Sequence, residues 1–235
     1  MSSTSDLRLD WCSHQAAAFA VKRWHYSHSL PPPPHNRIGV WEGQRFVGCV
    51  LFARGASPAL LAPYGLTAIE GCELVRVALD THKTPVSRIV AIAIKFLKRR
   101  CPGLRLIVSF ADPSEGHHGG IYQAMGWIYV GQTAPAREYI GPDGKRWHGR
   151  MVSGRGVAKV FGQKRRVLTP SQCKPFIRRG KYRYLYPLDD AMRGRVAPLG
   201  KPYPKRERSR EIAAPLPSGE GGEIPTRSLH KSRAS

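Results

Sequence analysis

Residues 104–131 read LRLIVSFADPSEGHHGGIYQAMGWIYVG. An apolar, β-branched run over 104–110 stops at the turn formers Asp112, Pro113, Ser114, Glu115 and Gly116, so it reads as a buried strand. Ile121, Tyr122 and Met125 then recur at helical spacing, Gly126 marks a left-handed helix end, and Trp127 begins a second strand. Strand, loop, helix and strand follow without waste. Asp112, His117, His118 and Tyr122 fall at the join, which puts a carboxylate, imidazoles and a phenol at the end of a buried strand.

Working outward, residues 13–24 read as a helix with Ser13 as its N-cap. Residues 38–41 and 46–52 flank Glu42-Gly43-Gln44-Arg45 as a hairpin, and 73–79 alternate as a strand. Pro85 opens an apolar helix carrying Val86, Ile89, Val90, Ala93, Ile94 and Leu97, closed by Lys98-Arg99-Arg100 where cations suit the helix dipole. A final strand is expected near residues 147–152. Tyr122 with Gly126-Trp127 forms Tyr-x-x-x-Gly-Trp, which resembles the Tyr-x-x-x-Gly-Phe join of the Gcn5-related N-acetyltransferase fold. The resemblance implies an α+β class: a mixed, splayed central sheet flanked by helices, whose parted strands admit a donor, and a tyrosine acting as general acid. One departure stands out. In that fold the loop after the fourth strand carries glycines whose amides cradle the pyrophosphate of coenzyme A, whereas here it reads Asp80-Thr81-His82-Lys83-Thr84-Pro85-Val86-Ser87-Arg88, without glycine. An acyl-coenzyme A type of donor is therefore disfavoured, although Ser87 and Arg88 remain placed to hold an anion.

The formal charge is +22, and it is unevenly spread. Residues 1–144 hold 15 Lys and Arg against 10 Asp and Glu, while residues 145–211 hold 20 against 4. In the second region Lys164, Arg165, Arg166, Arg178, Arg179, Lys181 and Arg183 interleave with Phe161, Phe176, Tyr182, Tyr184 and Tyr186, a mixture suited to phosphates and stacked bases. A merely solvated face would mix both signs. Lys164, Arg165, Arg166, Arg178, Arg179 and Lys181 are thus expected to bind double-stranded DNA. Three regions follow: an α/β catalytic domain over 1–153, a basic DNA-binding extension over 154–193, and a disordered tail over 194–235 rich in Pro, Gly and Ser. No stretch is long and apolar enough for a bilayer and no secretory layout begins the chain, so a cytoplasmic location is expected. The five scattered cysteines are expected to be reduced and packed.

A second constellation, Arg23-Trp24-His25-Tyr26-Ser27-His28-Ser29-Leu30, precedes four prolines and puts polar aromatics on a stiff loop suited to gripping a flat ring. The His25-x-x-His28 spacing leaves a metal open, with Asp112 or His117 as further ligands.

Taken together, Trp24-His25-Tyr26-Ser27-His28, Glu73-Leu74-Val75-Arg76-Val77, Thr84-Pro85-Val86-Ser87-Arg88, Ser109-Phe110-Ala111-Asp112 and Gly119-Gly120-Ile121-Tyr122 resemble the Mom DNA-modification proteins of bacteriophage Mu and related phages, over about residues 10–155. The resemblance implies a transferase adding a carbamoylmethyl (acetamido) group to the exocyclic N6 of adenine in DNA, which shields phage DNA from host restriction. It also implies functional positions at His25, Tyr26, Arg76, Ser87, Asp112 and Tyr122. Adenine N6 is a weak nucleophile held inside the duplex, so the base must be flipped out and relieved of a proton. Asp112 is the expected base, Tyr122 the acid to the leaving group, Arg76 and Ser87 the hold on a small-molecule donor, and Trp24, Tyr26 or Trp127 the stacking platform. The rival readings are that Asp112 only caps a turn, Arg76 is a buried ion pair, and Tyr122 and Trp127 are core aromatics. A conventional N-acetyltransferase and a non-catalytic DNA-binding protein are the rival functions. The donor, the target context, the oligomeric state and the use of a metal are not legible.

Overall fold

The structure is a computed structural model that describes residues 6–55, 57, 59–160 and 162–206. In chain order the elements are β1 (Leu7–Trp11), α1 (His14–Trp24), β2 (His35–Glu42), β3 (Arg45–Ala53), β4 (Gly71–Leu79), α2 (Val86–Arg100), β5 (Leu106–Ala111), α3 (Gly120–Ala124), β6 (Ile128–Gln132), β7 (Ala136–Ile140), β8 (Arg146–His148), β9 (Val157–Val160), β10 (Gln163–Arg166), β11 (Lys174–Arg178), β12 (Tyr182–Pro187) and α4 (Asp190–Val196). Among the described residues β1-β2-β3-β4-β5-β12-β6 form a seven-stranded sheet, β11-β7-β8 a second sheet and β10-β9 a two-stranded ribbon. The large sheet is mixed: β4 and β5 run parallel, while the other neighbours are antiparallel. This is the expected α+β class.

Local chemistry explains the elements. Ser13 caps α1 by accepting from the Ala16 amide at 3.1 Å, and the alanines Ala17 and Ala20 with Val21 lie flush on β3 and β4 against Cys49, Leu51 and Ala78. Helix α2 buries Ile89, Val90, Ala93, Ile94 and Leu97, the four larger side chains worth roughly 1.5–3 kcal/mol each, and it covers one face of the sheet. The other face is covered by α4, whose Met192 and Val196 meet Leu106, Val108 and Leu185. Because β5 sends Ile107 and Ala111 to the first face and Leu106 and Val108 to the second, its sequence is apolar without alternation.

Two expectations are corrected by the topology. Residues 147–152 do not supply the last strand of the main sheet, since β8 is a three-residue edge of the second sheet. That place belongs to β12, which pairs with β5 from Tyr182↔Ala111 to Pro187↔Leu106 and with β6 on its other side. The segment 154–193 is therefore not a separate extension: its Tyr182, Tyr184 and Leu185 are core residues, 7%, 0% and 0% exposed. The alternating Tyr182-Arg183-Tyr184-Leu185-Tyr186 read as basic-aromatic composition, yet the pattern is that of a strand with both faces covered. Residues 194–206 are also ordered, through the end of α4 and hydrogen bonds described below, because Val196 and the Tyr203 hydroxyl find buried partners. The remainder of the expected tail, 207–235, lies outside the described residues.

Among the described residues no helix is long and apolar enough to cross a membrane, and the five cysteines are free thiols. Since β12 is central, Leu185→Ala should lower the stability of the whole domain by about 2–5 kcal/mol, seen as a shift of a single chemical-unfolding transition. An unmoved midpoint would mean that β12 is not part of the core sheet.

Candidate active-site cleft

β4 and β5 pair in parallel only from Gly71↔Leu106 to Leu74↔Ser109. Beyond that point β4 continues with β3, whose pairing reaches Gly48↔Leu79, while β5 stays with β12 as far as Ala111. The two strands part because each has a better partner on its outer side. At the apex Ser109 Oγ donates to the Leu74 carbonyl at 2.8 Å and lies 2.7 Å from the Tyr122 hydroxyl. Ser109 has one hydroxyl proton, so the phenol is the donor of the second bond. Tyr122 is buried against Trp127 and Tyr184, with ring centroids 4.9 and 5.0 Å away, and burial pushes its pKa up to about 12.

The V between the strands holds a cleft of about 700 Å³, the size of a small-ligand site. Its walls bring together Trp24, His25 and Tyr26 from the end of α1, Arg76 from β4 and Tyr122 from α3. These sequence-predicted residues converge from distant segments. His25 is 8% exposed, and burial, followed by the charge of Arg76, lowers its pKa to about 4. Its Nδ1 accepts the Ser27 amide at 3.1 Å, so the proton of the neutral ring sits on Nε2. Tyr26 is 45% exposed, stacks on His25 at 4.2 Å and lies 5.4 Å from His117. Burial, then the Asp112 charge, raises its pKa. Arg76 is no ion pair among the described contacts: its Nη1 donates to the Val75 carbonyl at 2.7 Å and its Nε to that of Ser29 at 3.4 Å.

Other predicted residues lie elsewhere. Asp112 does not line the cleft. Only 3% exposed, it caps the following turn by accepting from Ser114 at 3.0 Å, and its other oxygen is ion-paired to Arg178 at 3.0 Å and Lys181 at 3.5 Å. Arg178 also pairs with Glu138 at 2.9 Å. Two buried carboxylates must be compensated, and removing a partner of such a pair typically costs about 3–5 kcal/mol. Arg178 and Lys181, expected on DNA, are thus committed to the interior. Trp127, expected to stack on a base, is wholly buried under Tyr122 and Tyr186. Ser87 does not line the cleft either: Val86 does, and the next residue of a helix points about 100° away. The rings of His25 and His28 take different partners, His28 Nδ1 meeting the Lys22 carbonyl at 2.8 Å, and among the described residues no three His, Cys, Asp or Glu converge as a metal site.

Sequence reasoning passed over Glu42. Its carboxylate accepts the amides of Lys83 at 3.0 Å and Thr84 at 2.7 Å, which lowers its pKa to about 2. The loop between β4 and α2 is held by a carboxylate of its own chain. The only sequence signal was an acidic residue at a hairpin tip, indistinguishable there from a turn residue.

The basic segment divides into two. Arg178 and Lys181 serve the core, but β10 is exposed throughout, and Lys164 stands directly across from Lys159 on the ribbon. The second sheet is fastened beside the cleft through Arg146–Glu115 at 2.8 Å and Arg178–Asp112, and the ribbon springs from it between β8 and β11.

Solved structures of similar shape include a putative acetyltransferase from Acinetobacter baylyi ADP1, 12% identical with a TM-score of 0.43 over 88% of this chain and 100% of that one. An N-acyl amino acid synthase from uncultured soil microbes is 12% identical with a TM-score of 0.44 over 84% and 99%. In sequence, the methylcarbamoylase mom of Escherichia phage Mu is 26% identical over 210 residues, which cover 86% of this chain and 85% of that protein. The model of the Mom protein family matches residues 6–205, a span that takes in α1, the parted strands, the cleft, the ribbon and β12. The chain therefore belongs to the Mom protein family.

Proposed function

We propose that this protein modifies DNA by transferring a carbamoylmethyl group to the N6 of an adenine flipped into the cleft, protecting phage DNA from restriction. The observation that carries the reading is convergence: His25, Tyr26, Arg76 and Tyr122, four of the positions implied by motif resemblance, line one cavity from β4, α3 and the loop after α1. Membership of the Mom family, with a methylcarbamoylase among its relatives, supports the chemistry.

The residues divide the work by protonation and reach. Tyr26, exposed at the mouth, offers its ring to the extruded purine, as does Trp24 beside it. His25 is neutral at physiological pH and presents an N–H, so it orients an acceptor on base or donor rather than taking a proton. Tyr122 keeps its proton and serves as acid to the departing group. Asp112, held by Arg178 and Lys181, positions the loop that carries His117, and His117 on the cleft wall takes the proton leaving N6. Arg76 holds an anionic part of the donor. Coenzyme A fits poorly: the amides of Lys83 and Thr84 that would meet its pyrophosphate already hold the Glu42 carboxylate.

DNA is the macromolecular partner in this reading. Residues 144–188 hold 13 Lys and Arg and no Asp or Glu, and a Lys–Lys pair across a ribbon is destabilising without a polyanion. Lys164, Arg165 and Arg166 on the exposed β10 supply phosphate contacts.

Enzymatic digestion of DNA from cells expressing the protein, with mass analysis of the nucleosides, should reveal a carbamoylmethyl gain on deoxyadenosine that Tyr122→Phe and His117→Gln abolish or cut at least tenfold while folding is retained. Unmodified deoxyadenosine in the wild-type sample would end the proposal, and acetylated protein or amine instead would favour the acetyltransferase reading. The His25 pKa of about 4, against 6.5 unfolded, means its contribution to stability is complete above pH 6.5 and is lost as pH falls toward 4. Denaturation midpoints at pH 7.5 and 5 should therefore differ more in the wild type than in His25→Gln; equal differences would show that folding leaves the pKa of the ring at its ordinary value. Replacing Lys164, Arg165 and Arg166 by alanine should reduce the slope of log Kd for DNA against log salt by about 2–3, and an unchanged slope would remove the ribbon from the interface.

A further inference from the structure

The residues after α4 form a fastened strap. The Lys201 amide donates to the Tyr129 carbonyl at 2.8 Å, the Tyr203 hydroxyl donates to the Trp127 carbonyl at 2.7 Å, and Gln123 Nε2 donates to the Pro204 carbonyl at 3.1 Å. Pro202 and Pro204 stiffen the path by fixing φ. The anchors are Trp127 just before β6, Tyr129 within it, and Gln123, the neighbour of Tyr122 on α3. Gln123 also reaches the Tyr184 hydroxyl at 3.2 Å, and that hydroxyl donates to the His118 carbonyl at 2.6 Å, so strap and cleft loop are joined through one amide. Two residues beyond the last anchor, Arg206 arrives on the wall of the cleft.

The chemistry there points one way. Arg76, Arg206 and four histidines, His25, His82, His117 and His118, line the cleft, and among the described residues no Asp or Glu does. Arg206 is exposed and makes no ion pair among the described residues, in contrast to Arg76, which is half-buried and bonded to backbone carbonyls. A flipped nucleotide sends its base inward and leaves its phosphates at the rim, where a guanidinium can take two oxygens of one phosphodiester.

We propose that the strap 201–206 holds Arg206 as a clamp on a DNA phosphodiester adjoining the flipped nucleotide. The inference rests on the reading of the cleft as a nucleotide site, and it makes the segment after α4 a part of that site.

Binding of purified full-length protein to duplex oligonucleotides, read by fluorescence anisotropy, tests it. Arg206→Gln should raise Kd roughly tenfold, and Arg206→Lys should recover part of the loss. A single uncharged methylphosphonate at a phosphate adjoining the target adenine should weaken the wild type by a similar factor and leave Arg206→Gln almost unaffected. Full additivity at every methylphosphonate position, or an unchanged Kd for Arg206→Gln, would overturn the clamp. Coupling retained in binding, together with absent adenine modification by the wild type, would sink the proposed chemistry while leaving the phosphate contact standing.

Discussion

The parting of β4 and β5 above Leu74 and Ser109 is the constraint on which the rest of the molecule depends. One hydroxyl at the apex, Ser109 Oγ, donates to the carbonyl of the neighbouring strand and accepts a hydrogen bond from the Tyr122 hydroxyl, so the place where the sheet opens and the place where a proton donor sits are the same. The two strands diverge because β3 and β12 hold them from outside. Without β12 between β5 and β6, β5 would lack the outer partner that draws it from β4. The cleft is therefore a property of strand order, and the aromatic layer of Trp127, Tyr129 and Tyr184 beneath it keeps α3 in place. Gly119 belongs to the same arrangement: at φ 88° its missing Cβ leaves room for the Tyr184 ring, which an added carbon would meet at 2.4 Å.

Charge is used at two depths. Asp112 and Glu138, 3% and 7% exposed, draw Arg178 and Lys181 inward, and those pairs fasten the second sheet to the loop that carries His117. Lys164, Arg165 and Arg166 on β10 face outward instead, and Arg206 stands exposed on the cleft wall. A buried ion pair gives uncertain net stability but is costly to break, which suits a joint whose task is to hold a ribbon and a cleft in fixed relation. Glu42 plays a comparable part on the opposite side, tying the hairpin of β2 and β3 to the start of α2 through the amides of Lys83 and Thr84.

Local patterns were legible wherever neighbours in the chain determine the outcome. The Ser13 cap, the hairpin at residues 42–45, the amphipathic face of α2 and the join at residues 104–131 follow from periodicity and turn chemistry, and all are present. So are His25, Tyr26, Arg76 and Tyr122 as a set, since their motifs named them before their separation in the chain was bridged. The basic residues misled. Composition assigns a charge to a face but cannot say which carboxylate it meets, and so Arg178 and Lys181 looked like DNA ligands and Asp112 like a free base. Tyr182 to Pro187 was hidden for a related reason: its tyrosines and arginine read as a stacking surface until a central strand position covers both faces.

By itself the sequence determined the α+β class, the elements of the cleft walls, the family to which the chain is similar and the concentration of positive charge in its second half. Only the tertiary structure decided that β12 enters the main sheet, that Asp112 is neutralised by Arg178 and Lys181, that Trp127 is interior, and that the chain after α4 returns to the cleft with Arg206. The first group depends on spacing along a few turns or a few strand residues, which any chain segment carries in its own composition. The second depends on which partner a side chain finds across 50 or more residues, and only the fold brings those partners together.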